Sequence, residues 1–364
     1  MKNFRLLLLV LLAALVFSCK KTDDPTPDTP VIPPITPDST EVQHHTGVFI
    51  LNEGNFTFAN ASLSYYDSER DSIYNNLFYK ANGVPLGDVA QSLALSGDDL
   101  FIVVNNSNNI YKVEASTIEY KAALGDFYSP REMFIVSPDK AYVSDIIGTC
   151  LWIINPTDMT HTGTIDMGKT TEKMVQVGNE LYVSNWSYYY VDANSHDSYT
   201  SVQVVDLNND AVLTEVEVGK EPNTMAVDKN GHVWVLCEGR SWDEDYGEQP
   251  SLWEIDPATK SATRRLQFDM TASCLRVNAD GNSLYLIADG DVRRYDIDGQ
   301  TLTDFCISAE GRMFYNLAID PDLGIFVTDA KDYMMNGDVY RYTEEGVLLS
   351  TMEAGMIPSA MLFK

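Results

Sequence analysis

Histidine, cysteine and clustered carboxylates are the side chains best suited to catalysis or metal binding, and in this chain their spacing favours neither. Five histidines occur in 364 residues. His44 and His45 are adjacent at the end of a Pro-rich stretch and read as loop. His161 and His232 fall in turns at one end of the strand pattern described below, and His196 falls in a loop at the other, so the three cannot converge. Cys150, Cys237, Cys274 and Cys306 show no CxxC spacing, which argues against a zinc or redox site. They read as buried free thiols, with pairing left open. Asp243-Glu244-Asp245 offers carboxylates to calcium but lacks the spacing of an EF-hand loop, and reads as a solvated acidic loop. No nucleophile stands beside a base. The chain is therefore expected to have no catalytic residues, no metal site and no cofactor of its own, and to be a binding protein, not an enzyme.

The chemistry that remains is aromatic. The chain holds 20 Tyr, 14 Phe and 5 Trp, and many of them fall in loops beside Asn or Arg. The candidate ligand-binding residues are Phe56, Phe58, Tyr128, Arg131, Asn185, Trp186, Tyr188, Tyr189, Trp242, Tyr246, Tyr315 and Tyr333. Aromatic faces cover a broad apolar ligand while Asn and Arg pair with its polar groups. That works only if one scaffold brings these loops together.

Such a scaffold is legible as an internal repeat. Short triplets recur at Gln91-Ser92-Leu93, Arg131-Glu132-Met133, Glu172-Lys173-Met174, Asn223-Thr224-Met225, Ser273-Cys274-Leu275, Tyr315-Asn316-Leu317 and Ser359-Ala360-Met361, at intervals of 40, 41, 51, 50, 42 and 44 residues. Each of the first six leads through a polar turn to an aromatic-rich strand ending in Asn, Asp or Glu (100–105, 141–145, 181–185, 233–238, 284–289 and 325–329). Third and fourth strands follow. Asp-Gly, Asn-Gly and Gly-Asp turns separate the runs, and from Gly47 on there is no helical period.

The seventh triplet lies at the chain end with no strand after it. Conversely, Gly47-Val48-Phe49-Ile50-Leu51-Asn52 is a second strand with no triplet before it. Joined, they complete a seventh unit. The sequence thus predicts an all-β, seven-bladed β-propeller over 47–364, closed by the C-terminal strand pairing with the N-terminal blade. Met361 is expected at the ring position held by Leu93, Met133, Met174, Met225, Leu275 and Leu317. Closure follows because a four-stranded blade has two apolar faces and an open stack would leave two of them in water.

Antiparallel order also sorts the loops. Connections between second and third strands share a face with the links between blades, and the remaining turns lie opposite. The two long insertions, 186–199 and 239–250, and the shorter loops at 53–59 and 330–336 all fall on the first face, as do the links carrying Phe127, Tyr128, Arg131, Phe314 and Tyr315. The opposite face receives terse turns such as Ser96-Gly97-Asp98-Asp99. Long loops on a rigid scaffold are where binding concentrates.

Residues 1–18 read as a signal peptide, with Lys2 and Arg5 before the apolar run 6–17, which is too short to span a bilayer comfortably. Leu15-Val16-Phe17-Ser18-Cys19 resembles a bacterial lipobox, which implies cleavage before Cys19 and lipid on its thiol. The following Lys20-Lys21-Thr22-Asp23-Asp24 resembles a surface-export signal. Residues 19–46 form a Pro-rich linker, extended because it has nothing to bury. The formal charge is −28, which opposes binding to nucleic acid and to anionic lipid, so membrane contact is expected only through the anchor.

Residues 47–364 resemble the YncE-like, DUF5074-type propellers of Bacteroidetes, most specifically over Val48-Phe49-Ile50-Leu51-Asn52-Glu53-Gly54-Asn55-Phe56. With the lipobox and acidic export signal, the chain is similar to the surface cobalamin-binding lipoproteins called BtuG. The resemblance implies a surface-exposed outer-membrane lipoprotein anchored at Cys19. It further implies capture of cobalamin (vitamin B12) or related corrinoids and delivery to a BtuB-like TonB-dependent outer-membrane transporter. A surface-layer or adhesion propeller holding a glycan or protein partner on the same face is the alternative.

Overall fold

The structure is a computed structural model and describes residues 45–188, 192, 197–240 and 247–364. The signal peptide, Cys19, the linker up to residue 44, Tyr189, His196, Trp242, Asp243-Glu244-Asp245 and Tyr246 lie outside the described residues. The described chain forms seven four-stranded antiparallel sheets. Blade 1 is built, from the axis outward, of Pro358–Phe363, Gly47–Asn52, Ser62–Asp67 and Ser72–Tyr74. Blades 2 to 7 follow in chain order over 90–124, 130–166, 174–217, 222–267, 272–307 and 314–356. This is the expected seven-bladed propeller.

Closure is direct. Val48 to Asn52 pair with Phe363 to Pro358 in antiparallel register. The Thr46 amide donates to the Lys364 carbonyl at 2.7 Å, and the Lys364 amide donates to that of Gly47 at 2.9 Å. Met361 lies opposite Ile50, as Leu93 lies opposite Ile102, Met133 opposite Val143, Met174 opposite Val183, Met225 opposite Val235 and Leu317 opposite Val327.

Each second strand carries a large aromatic side chain one position before those partners. Phe49, Phe101, Tyr142, Tyr182, Trp234, Tyr285 and Phe326 are all buried. β-Branched and aromatic residues suit a pleated surface covered on both sides. The apolar side chains gather into seven clusters, each between two adjacent blades. The cluster of Val48, Ile50, Tyr66, Phe326 and Val339 joins blade 7 to blade 1, and that of Phe49, Leu51, Leu63, Leu100 and Ile102 joins blade 1 to blade 2. The core is thus the ring of blade interfaces, and no end blade is left uncovered.

Three expectations need correction. A six-residue helix, Leu77–Asn82, stands in the link from blade 1 to blade 2. It is too short to show a period, and burial of Leu77 and Phe78 fixes it rather than intrinsic propensity. His161 is not in a turn but is the second residue of the outer strand Thr160–Asp166. Its ring packs on Phe127 and Trp152 with centroids 4.8 and 5.0 Å away, and its Nε2 meets the Gly125 carbonyl at 2.7 Å. The four cysteines are unpaired, but only Cys237 and Cys274 are buried, while Cys306 is exposed.

Candidate functional site

The inner strands line the central channel, and a local irregularity decides which side chains enter it. In blades 1, 2, 5 and 7 the inner strand carries a bulge in which one residue has no opposite number: Ser359, Gln91, Asn223 and Tyr315. In blade 3 the irregularity sets Arg131 and Glu132 against Ser144. A bulge re-aims a side chain out of the alternation of the strand. These are the first residues of the repeated triplets, so the repeat marks a ring of side chains about the channel mouth.

The second triplet residue stitches neighbouring blades. The Ser92 hydroxyl donates to the Arg131 carbonyl at 2.7 Å, the Met174 amide to Glu132 Oε2 at 2.8 Å, the Leu275 amide to Thr224 Oγ1 at 3.1 Å, and Cys274 Sγ–H to the Tyr315 carbonyl at 3.1 Å. The mouth is therefore held by inner strands bonded to one another, which makes it rigid.

At the mouth, Arg131 donates through Nε and Nη2 to the two carboxylate oxygens of Glu172, at 2.7 and 2.9 Å, and through Nη1 to Gln91 Oε1 at 2.7 Å. Trp186 lies against the guanidinium, 5.6 Å from ring centroid to Cζ, and its indole N–H donates to Glu238 Oε2 at 3.1 Å. The Tyr315 hydroxyl donates to the Glu53 carboxylate, 3.1 Å from Oε2. Burial raises the pKa of Glu238 to about 7, helped by the charges of Glu221 and Glu172 and opposed by Trp186 and Arg131. Burial likewise pushes Glu53 up against the opposing Tyr315 hydrogen bond and the Arg131 charge. Tyr315 is raised by burial and by the Glu53 charge beside it.

Around this polar centre the loop face is apolar and exposed. Phe56 is 67% exposed, Phe58 68% and Tyr128 60%. Ile147, Met270, Met313, Tyr333, Met334 and Met335 are exposed too, and all nine lie in second-to-third-strand loops or blade links. Among the described residues, no exposed large apolar side chain lies in a turn between first and second strands. The loops also touch one another. Asn55 Nδ2 donates to the Tyr333 carbonyl, the Tyr333 ring meets Tyr315 edge-on at 5.9 Å, and the Thr57 amide donates to the Asp88 carboxylate at 2.8 Å. Gly54 turns the 53–61 loop at φ 73°, where a Cβ would come within 2.6 Å of the Ala61 nitrogen. Tyr128 rests on Trp152 at 5.7 Å and over Gly148, whose absent Cβ would approach the Tyr128 ring to 2.8 Å.

Of the candidate residues, Phe56, Phe58, Tyr128 and Tyr333 are exposed on this face, and Arg131, Trp186 and Tyr315 stand at the mouth. Tyr188 packs edge-on against Tyr199 at 5.2 Å within its own loop. Asn185 is corrected: it is 0% exposed and its amide is fully used. Its Nδ2 donates to the Thr170 carbonyl and to Gln203 Oε1, both at 2.9 Å, while its Oδ1 accepts from the Ser201 hydroxyl.

The same device recurs around the ring. Asn52 accepts from the Gly355 amide, Asp145 from Tyr128 and Ser129, Asp289 from Met270 and Thr271, Asp329 from Met313, and Asn105 donates to the Pro130 carbonyl. In six of the seven blades the Asn or Asp ending the second strand is a clip for a blade link or for the strand end beside it, its side chain spent within the fold. Sequence reading also missed Glu53, Gln91, Glu172 and Glu238. The signal was present for two of them: Gln91 and Glu172 open repeated triplets, as Arg131 does.

Among the described residues one His and carboxylate group could hold a cation: Asp228, His232 and Glu254, on the opposite face. Its oxygens are already engaged. Asp228 accepts the amides of Asn230 and His232 and the Trp234 indole N–H, while Glu254 pairs with Arg265 and His232. It reads as a turn-fixing ion pair.

No curated protein matches the chain. Solved structures share its architecture. A quinonprotein alcohol dehydrogenase-like protein from Bacteroides thetaiotaomicron superposes with a TM-score of 0.67 at 17% identity, covering 88% of this chain and 78% of that one. A functionally unknown protein from Desulfotomaculum acetoxidans gives 0.65 at 10%, covering 87% and 98%. The periplasmic gluconolactonase of Pseudomonas aeruginosa gives 0.63 at 14%, covering 87% and 99%. At such identities the likeness is one of fold. A family model described as Domain of unknown function (DUF5074) matches residues 46–363, and the chain belongs to that family.

Proposed function

We propose that this is a surface-exposed outer-membrane lipoprotein, anchored through Cys19, whose propeller captures cobalamin or a related corrinoid and passes it to a TonB-dependent outer-membrane transporter. The observation that carries the reading is the loop face. Its exposed aromatic and methionine side chains surround a rigid, hydrogen-bonded channel mouth. A corrin is a broad ring with apolar edges and many amide arms. Phe56, Phe58, Tyr128 and Tyr333 offer apolar cover for such a ring, and methionines adapt to an irregular outline. Carboxylate and hydroxyl groups at the mouth offer partners for amides. Cobalt arrives already ligated by the corrin, so the protein need supply no metal ligand. The site works by binding, without chemistry on the ligand, and its rigid inner strands keep the ordering cost of binding low.

Size-exclusion chromatography of the purified protein with cyanocobalamin tests this. Red colour is expected to travel with the protein peak. Complete separation of colour from protein refutes the reading, and retention on a polysaccharide column instead would favour a glycan-binding adhesin.

A further inference from the structure

Blade 5 departs from the clip pattern. Six blades end their second strand on Asn or Asp, whose side chain bonds to a blade link or to the strand end beside it. Blade 5 ends on Glu238, one methylene longer, and its carboxylate turns instead to the Trp186 indole across the blade boundary. The groups that act on it come from separate elements: Trp186 from the blade 4 loop, Glu172 and Glu221 from the links into blades 4 and 5, and Arg131 from the inner strand of blade 3. The cationic side of this cluster is already committed. The Arg131 guanidinium is held by Glu172 and Gln91, and the Lys173 ammonium lies 3.5 Å from Glu132. Glu172 matches the charge of Arg131, and Glu53 and Glu238 bring two further carboxylates to the mouth, engaged by the Tyr315 hydroxyl and the Trp186 indole rather than by a cation.

We propose that the channel mouth is the polar subsite of the binding face, taking an uncharged carboxamide arm of the ligand and rejecting the same arm as a carboxylate, with Glu238 as the residue that sets the choice. The proposal rests on the corrinoid reading above. A carboxamide brings N–H donors to carboxylate oxygens. A carboxylate brings only acceptors and a negative charge to Glu53 and Glu238, and the Arg131 guanidinium beside them is already paired with Glu172. In a partly desolvated site that repulsion is not screened as it is in bulk water. Trp186, seated on Arg131 and bonded to Glu238, fixes the orientation of both.

The test uses the full-length protein and two probes: cyanocobalamin, and its monocarboxylates in which one amide arm is hydrolysed to the acid. Affinities are measured at pH 8 for the wild type and for Glu238→Gln, with Glu53→Gln as a second variant and a thermal melt to confirm folding. At least one monocarboxylate is expected to bind the wild type about tenfold or more weaker than cyanocobalamin, the scale of a like-charge contact in an interface. Either Gln variant should shrink that gap, as should lowering the pH below 7 in the wild type. Equal binding of all the acids and the amide by the wild type, or an unchanged gap in both variants, overturns the subsite and leaves corrinoid capture standing. Failure of cyanocobalamin itself to bind overturns both.

Discussion

Deleting residues 358–364 removes the inner strand of blade 1 and leaves the other six inner strands in place. The loss can be worked from contacts. Five residues of Gly47–Asn52 lose their antiparallel partners, and at about 1 kcal/mol per hydrogen bond this is on the order of 5 kcal/mol. Met361 and Phe363 leave the cluster of Val48, Ile50 and Phe326, while Ala360 and Leu362 leave that of Phe49 and Leu100. The three large side chains are half-buried, so each contributes roughly 1 kcal/mol. The total, about 8 kcal/mol, is comparable with the whole stability of a typical domain. The truncated protein should therefore lose its cooperative thermal transition, followed by circular dichroism, and should expose apolar surface to a hydrophobic dye. The milder Met361→Ala should keep the fold and lose about 1–2 kcal/mol, read from denaturant unfolding. A truncated protein melting cooperatively within a degree or two of the full chain would refute ring closure, and the seven-blade count with it.

Three further outcomes follow from side chains at the ring. Glu238 has its pKa raised to about 7 from an ordinary 4.5 by burial, so the folded state holds a proton that the unfolded state releases between those values. Stability from this group is thus full below pH 4.5 and lost as pH rises through 7. Glu238→Gln should be more stable than wild type at pH 8, by on the order of 2–3 kcal/mol at most, with no difference at pH 4. Lys364, buried against Ala115 and Phe49, has its pKa lowered to about 8 from 10.5 by burial. The folded state therefore binds fewer protons between those values, and Lys364→Met should gain most below pH 8 and lose its advantage above 10.5, as read in chemical melts. Asn185→Ala should cost about 2–3 kcal/mol in denaturant unfolding, because Ser201, Gln203 and the Thr170 carbonyl lose a buried partner; an unchanged midpoint would count against the clip.

The amino-acid sequence by itself determined the blade count, the strand order, the closing strand and the sorting of loops to two faces. These depend on information that repeats locally: two-residue alternation, turn residues at fixed intervals, and ends that complete each other. It also placed Phe56, Phe58, Tyr128 and Tyr333 on one face, because antiparallel order alone fixes which loops are neighbours. Other features were invisible at that level. The bulges that free Gln91, Asn223, Tyr315 and Ser359 arise from a mismatch in length between two paired strands, and neither strand shows it alone. Asn185 looked like the start of a binding loop until its amide proved to be spent inside the blade. The channel mouth joins Glu53, Arg131, Glu172, Glu238 and Tyr315 from five blades. Their meeting is set by radial stacking around one axis, which brings distant segments together wherever the ring closes, so only the tertiary structure could decide which charges face one another.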